Sequence, residues 1–143
     1  MDDLKVRIAQ HNPDLTIITE TWFNEGYENK LLSINNLNIF RADRKNKDGG
    51  GIIIYTRTCF NFYLISPLSK CTCGKLETIW IISDTLKLIL CALYNPPNTT
   101  TDEQITNCNY IIDFYDELLT KNPLHTIIIT GDFNRMDISL HKT

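Results

Sequence analysis

The sequence predicts a mixed α/β fold in which two β-sheets stack as a sandwich flanked by helices. Three observations point there. Short β-branched runs, bounded by Gly, Pro, Asn or Asp, recur through the middle of the chain. Helical periodicity is confined to one segment at the start and one before the last strand. No linker, internal repeat or low-complexity stretch stands out, so residues 1–143 read as one domain.

The elements follow in order. Leu4, Ile8 and Ala9 share one helical face, and Asn12-Pro13 ends that helix. Leu15-Thr16-Ile17-Ile18-Thr19 is a short strand that delivers Glu20, Thr21 and Trp22 at its exit. The polar stretch from Asn24 to Lys30 is a loop, with a helical turn near Leu31 and Leu32. Strands are expected at Leu37 to Arg41, Ile52 to Thr56, Phe60 to Ile65, Leu76 to Ile82 and Leu86 to Tyr94. Lys45-Asn46-Lys47 and Asp48-Gly49-Gly50-Gly51 turn the chain between the first two of these. Asn95-Pro96-Pro97-Asn98 is a hard break, because proline cannot continue a central strand. Asp102-Glu103 then opens an amphipathic helix bearing Ile105, Cys108, Ile112, Tyr115 and Leu119, and Asn122-Pro123 closes it. The last strand, Thr126-Ile127-Ile128-Ile129-Thr130, runs into Gly131-Asp132-Phe133-Asn134.

Composition narrows the function classes. With 43% hydrophobic and 22% charged residues, the chain can bury a core and is not of the disordered class. Five cysteines without a regular framework argue against a secreted disulfide scaffold and for a reducing, intracellular compartment. Cys71-Thr72-Cys73 is the one close pair, and no matching Cys/His pair follows at zinc-finger spacing; the thiols read as small apolar fillers or exposed free thiols. No apolar run approaches the roughly 20 residues of a membrane span, and the acidic N-terminus lacks the features of a signal peptide. A formal net charge of −3 does not suit a general nucleic-acid coat protein. It is weaker evidence against an enzyme whose own metal site is acidic.

Four strand ends carry chemistry: Thr19-Glu20-Thr21-Trp22, Arg41-Ala42-Asp43-Arg44, Tyr94-Asn95-Pro96-Pro97 and Gly131-Asp132-Phe133-Asn134. Strand ends are rigid and aim side chains at fixed separation. Glu20 is a hard oxygen donor, and Mg²⁺ is typically held by one or two carboxylates plus waters and substrate phosphate. The competing reading of Glu20 is a solvated charge. A carboxylate such as Asp132 is a feeble base at neutral pH, so its value lies in orienting an attacking water. Asn134 is neutral and rich in donors, and can contact a phosphoryl oxygen without repelling it. The competing reading of this pair is an Asx-turn closing the strand. Tyr94 ends an apolar strand, so its hydroxyl needs a partner. Arg41 and Arg44, with Lys45 and Lys47, suit either the tracking of a nucleic-acid backbone or a solvated loop. The glycines are a hairpin or close backbone approach and not a phosphate loop, since no Lys-Ser/Thr follows. Glu77 is read as a structural partner in preference to a second acidic group near the site. His125 has no nucleophile beside it, so a Ser/His or Cys/His hydrolase has no support.

These motifs, taken in order, resemble the endonuclease/exonuclease/phosphatase superfamily, and within it the endonuclease domain of LINE-type (non-LTR) retrotransposons. The resemblance covers nearly the whole chain: Asn12-Pro13-Asp14, Glu20-Thr21-Trp22, Asp43-Arg44 with the triple glycine, Glu77, Tyr94-Asn95-Pro96-Pro97 and the Gly-Asp-Phe-Asn tetrapeptide. It implies that Glu20 is a Mg²⁺ ligand (Mn²⁺ being an alternative ion), that Asp132 and Asn134 are catalytic, and that Tyr94 approaches the phosphate. It also implies DNA as partner. The common LINE version of the turn reads Tyr-Arg-Pro-Pro; here Asn95 removes a cation expected to aid phosphate binding.

Two departures limit the resemblance. The family normally begins with a strand bearing an active-site Asn, and continues past Gly-Asp-x-Asn to a Ser-Asp-His-like motif; His141 lies too close to Asp132 to replace that histidine. The expectation is therefore a sandwich incomplete at both ends, marginally stable or aggregation-prone, without significant nuclease activity as an isolated chain. Two alternatives stand beside this reading: a phosphomonoesterase or phospholipid phosphodiesterase of the same superfamily, and a non-enzymatic remnant or binding module.

Overall fold

In the computed structural model the described residues are 2–24, 26–43, 49–65 and 76–136. Arg44, Lys45, Lys47, Asp48, the Cys71-Thr72-Cys73 pair and His141 lie outside them. Helix α1 (Asp2–His11) leads through Asn12 to strand β1 (Leu15–Thr19). A short helix α2 (Asn29–Leu32) precedes the hairpin β2 (Leu37–Ala42) and β3 (Ile52–Arg57). Then come β4 (Tyr63–Leu64), β5 (Glu77–Ser83), β6 (Leu88–Tyr94), the long helix α3 (Thr101–Lys121) and β7 (Thr126–Asp132).

Two sheets result, as expected. One is antiparallel with order β1-β3-β2; the other has order β4-β5-β6-β7. β6 and β7 run parallel, because α3 carries the chain back across the sheet between them. That helix starts where Thr100 caps it. The Thr100 hydroxyl accepts from the Glu103 N–H at 3.3 Å, and the Glu103 carboxylate accepts from the Thr100 N–H at 2.7 Å. Among the described residues no helix is long and apolar enough to cross a membrane.

Period-two alternation divides the second sheet's side chains between two cores. Ile79, Ile81, Leu90, Ala92 and Tyr94 face the first sheet and meet Ile52 and Ile54 of β3. Trp80, Ile82, Ile89, Cys91 and Leu93 face α3 and meet Ile111 and Leu118. Strand β3 is buried on both faces, its Ile53 and Tyr55 packing against Ile8 of α1 and Leu32 of α2. Cys91 and Cys108 are buried in the core, and burial holds the Cys91 thiol well above its ordinary pKa.

The expected strand from Phe60 to Ile65 is the main departure. Thr58–Phe60 form a 3-10 turn, Asn61 takes a left-handed conformation (φ 51°), and only Tyr63–Leu64 pair with β5. An asparagine tolerates that conformation, and it breaks the extended run near its start. Similarly β6 starts at Leu88 and not Leu86, because Lys87 (φ 52°) closes the turn after β5.

Candidate active site

One transverse row of the second sheet places the site. Tyr94 pairs with Glu77 on one side and with Asp132 on the other. Facing residues of neighbouring strands point the same way, about 4.8 Å apart across the ladder. Tyr94 lies in the inter-sheet core, and Asp132 alternates away from Ile129 and Phe133, which pack toward α3. The row therefore opens toward the first sheet at one end of the sandwich.

From the first sheet comes Glu20, one residue past the end of β1. The Tyr94 hydroxyl donates to Glu20 Oε1 at 2.5 Å, across 74 residues of sequence. This is the partner a buried tyrosine at a strand end requires. Glu20 itself is exposed and sits at φ 53°, with Trp22 at φ 58°; both are left-handed conformations unusual for such side chains. The glycine segment holds this strained exit. Thr21 N–H donates to the Gly51 carbonyl at 3.3 Å and Trp22 N–H to the Gly50 carbonyl at 2.9 Å. A Cβ on Gly51 would lie 2.4 Å from the Thr21 hydroxyl oxygen. Glu77 completes the link between sheets: its Oε2 accepts from the Gly51 N–H at 2.6 Å. The Gly51 amide is thus one partner of the Glu77 carboxylate, a structural role of the kind expected from the sequence.

The Gly131-Asp132-Phe133-Asn134 turn is built by three devices. Gly131 has φ 138°, and a Cβ there would lie 2.0 Å from the Leu93 carbonyl oxygen, so β7 approaches β6 as closely as only glycine permits. Asp132 Oδ1 accepts from the Asn134 N–H at 3.0 Å, the Asx-turn weighed from the sequence. That bond uses one carboxylate oxygen and does not compete with a role for the other. Asn134 (φ 46°) donates through Nδ2 to the Asn95 carbonyl at 2.7 Å, which engages one of its two amide hydrogens.

Arg41, for which the sequence left a nucleic-acid contact and a loop role open, points its guanidinium into its own loop. Nε donates to Asp43 Oδ1 at 3.2 Å, NH1 to the Tyr27 carbonyl at 2.5 Å and Asn29 Oδ1 at 3.0 Å, and NH2 to the Asn24 carbonyl at 3.3 Å and to Asp43 Oδ2. Every donor of the fork is engaged, so Arg41 pins the Asn24–Asn29 loop instead of offering a free hand to phosphate. Its expected companion Arg44 is outside the described residues. Asn95, which stands where the common LINE turn carries arginine, is wholly buried (0% exposed) and bonded to the site turn.

The structure brings Glu20, Tyr94, Asp132 and Asn134 to one end of the sandwich, while Arg41 is bonded within its own loop. Sequence reasoning missed Asn95 and Asn107 as supports and the latch from Glu77 to Gly51. A strand-interior glycine at 131 was a readable sign of close backbone approach; the asparagine contacts had no such sign.

Solved structures share this fold at low identity. The truncated TDP2 of Caenorhabditis elegans superposes with a TM-score of 0.67 at 15% identity, covering 99% of this chain and 57% of its own. ANGEL2, a 2',3'-cyclic phosphatase, gives 0.69 at 14% identity over 94% of this chain and 43% of that one. The 3' phosphatase NExo from Neisseria, bound to a product DNA hairpin, gives 0.68 at 12% identity over 93% and 52%. The chain therefore spans about half the length of these structures. Among curated proteins no relative matches it. The sequence profile of the endonuclease/exonuclease/phosphatase family matches residues 1–139, and this chain belongs to that family.

Proposed function

We propose that this chain is part of a metal-dependent phosphodiesterase domain acting on DNA, of the LINE-type retrotransposon endonuclease kind. One observation carries the reading: Glu20 and Asp132 come from different sheets, and Tyr94, bonded to one and paired with the other, gathers both at one end of the sandwich. The order of strand-end motifs supports the retrotransposon type. Solved relatives of the fold support the substrate class, since TDP2 from D. rerio is complexed with a single-strand DNA product and NExo is bound to a DNA hairpin.

The donor set fits a hard divalent cation. Glu20 offers an exposed carboxylate on a fixed strand exit, with Oε1 oriented by a tyrosine hydroxyl. A carboxylate is a hard oxygen donor of the kind that Mg²⁺ and Mn²⁺ take. Such an ion, held by Glu20, would stabilise charge developing on a phosphoryl oxygen. Asp132 orients the attacking water in line with the scissile bond, and Asn134 contacts a phosphoryl oxygen with its second amide hydrogen. Tyr94 fixes the Glu20 carboxylate from within the core and borders the phosphate.

The test is Mn²⁺ titration followed by electron paramagnetic resonance, with a DNA oligonucleotide, a phosphomonoester and a phospholipid vesicle offered in turn. Saturable Mn²⁺ binding that is lost in Glu20→Gln and strengthened by the oligonucleotide is expected. Equal binding by wild type and Glu20→Gln would overturn the metal assignment, and strengthening by the monoester or the vesicle alone would overturn the substrate class. Plasmid nicking that disappears in Asp132→Ala would extend the reading to hydrolysis by these residues themselves.

A further inference from the structure

Asn95 makes four hydrogen bonds, and three reach consecutive residues of the site turn. Its N–H donates to the Asp132 carbonyl at 2.9 Å. Its Nδ2 donates to the Phe133 carbonyl at 3.2 Å, and its own carbonyl accepts from Asn134 Nδ2 at 2.7 Å. The fourth bond points the other way. Asn95 Oδ1 accepts from Asn107 Nδ2 at 2.9 Å, and Asn107 stands in the second turn of α3. Both asparagines have 0% exposure.

Burial gives these bonds their force. A carboxamide bonded through both its oxygen and its nitrogen cannot turn without leaving a buried polar atom unpaired. Asn107 is itself carried on a helix of 21 residues whose Cys108, Ile111 and Leu118 are packed in the core. The orientation of the Asn95 side chain is thereby set by α3, and Asn95 in turn grips the Asp132–Asn134 backbone and the Asn134 side chain. Besides these bonds the turn has its own Asx bond, a Met136 N–H donating to the Phe133 carbonyl at 2.9 Å, and the packing of Phe133 against the core.

We propose that Asn95 and Asn107 are positioning residues for the Asp132–Asn134 turn, transmitting the fixed geometry of α3 to the groups that orient water and contact phosphate. The purpose assigned to that geometry rests on the functional reading above; the coupling itself does not. Asn107 is linked to the turn by its bond to Asn95 Oδ1, and an effect of its substitution on Asn134 is expected to travel along that bond.

The experiment uses the full 143-residue chain labelled with nitrogen-15. The Asn134 side-chain amide pair is assigned by its loss in Asn134→Asp, then followed in Asn107→Ala. Mn²⁺-dependent binding of a dinucleotide phosphodiester is measured in parallel, below the unfolding temperature of each variant. The expected result is a shifted Asn134 signal with faster solvent exchange, and phosphodiester binding weakened about tenfold, in a chain whose far-ultraviolet spectrum stays native. Should Asn107→Ala not fold, Asn107→Ser, which leaves a smaller void, gives the same two readouts. A lowered melting temperature with the Asn134 signal and phosphodiester affinity unchanged would overturn the proposal. If the wild-type chain binds no phosphodiester, the functional reading fails, while the Asn134 signal still decides whether the coupling exists.

Discussion

Two tyrosine–carboxylate pairs stand at different places in the second sheet, and they differ in what brings them together. Tyr63 donates to Asp84 Oδ2 at 2.8 Å across 21 residues, within one β4–β5 pairing and its following turn. His125 joins them, with Nε2 3.2 Å from Asp84 Oδ1. Tyr63 is half exposed, and the pair needs little beyond local chain geometry. Tyr94 is buried, and it reaches Glu20 only because the two sheets have closed on each other. The first pair is a surface bond at a turn; the second reports the assembly of the sandwich. A carboxylate presented by tertiary packing is rigid enough to hold a ligand, whereas one presented by an exposed turn is screened by water.

Removing the close approach that aligns the Tyr94–Asp132 row should produce the largest effect. Gly131→Ala places a Cβ against the Leu93 backbone at a φ that L-residues avoid. It should destabilise the chain by about 3 kcal/mol or more in urea unfolding followed by tryptophan fluorescence. A stability close to wild type would mean that β7 is free to shift, and that the Tyr94–Asp132 row is not fixed.

Deleting each tyrosine hydroxyl in turn sharpens the contrast. Tyr94→Phe removes a buried donor to a charged group and should cost roughly 1.5–3 kcal/mol, with weakened Mn²⁺ binding. Tyr63→Phe should change unfolding far less and leave Mn²⁺ binding intact. Equal effects from the two variants would abolish the distinction drawn between them.

The smallest effect is in pH dependence. The bond from Tyr63, aided by His125, holds the Asp84 carboxyl below its ordinary pKa, and the same bond holds the Tyr63 hydroxyl above its own. Asp84 therefore contributes stability that is complete above about pH 4 and is lost as pH falls through its lower folded value. Tyr63 contributes stability that is complete below about pH 10 and is lost as pH rises through its higher folded value. Urea midpoints measured across pH should show slightly flattened acid and alkaline limbs in Asp84→Asn. Unchanged limbs would assign the pH dependence to other groups.

Much of this was legible in the chain. Strand β1 and the motif-bearing ends of β6 and β7 lie where period-two runs and their breakers placed them, and Thr100 with Glu103 marks the start of α3. The grouping of Glu20, Tyr94 and Asp132 came from the resemblance, because nothing local says which strand ends will meet. Arg41 stayed open between two readings for a related reason: a cation beside a basic loop looks available until the Tyr27 and Asn24 carbonyls and the Asp43 carboxylate are seen to surround it.

By itself, then, the sequence determined the element order, the two-sheet class, and the short motifs at the strand ends, since periodicity, glycine and proline act within a few residues. The tertiary structure decided the parallel pairing of β6 with β7, the Tyr94–Glu20 bond, and the burial of Asn95 against Asn107 and the site turn. These depend on contacts between residues distant in sequence, and on whether a polar atom finds a partner once water is excluded. Composition and spacing carry no record of that.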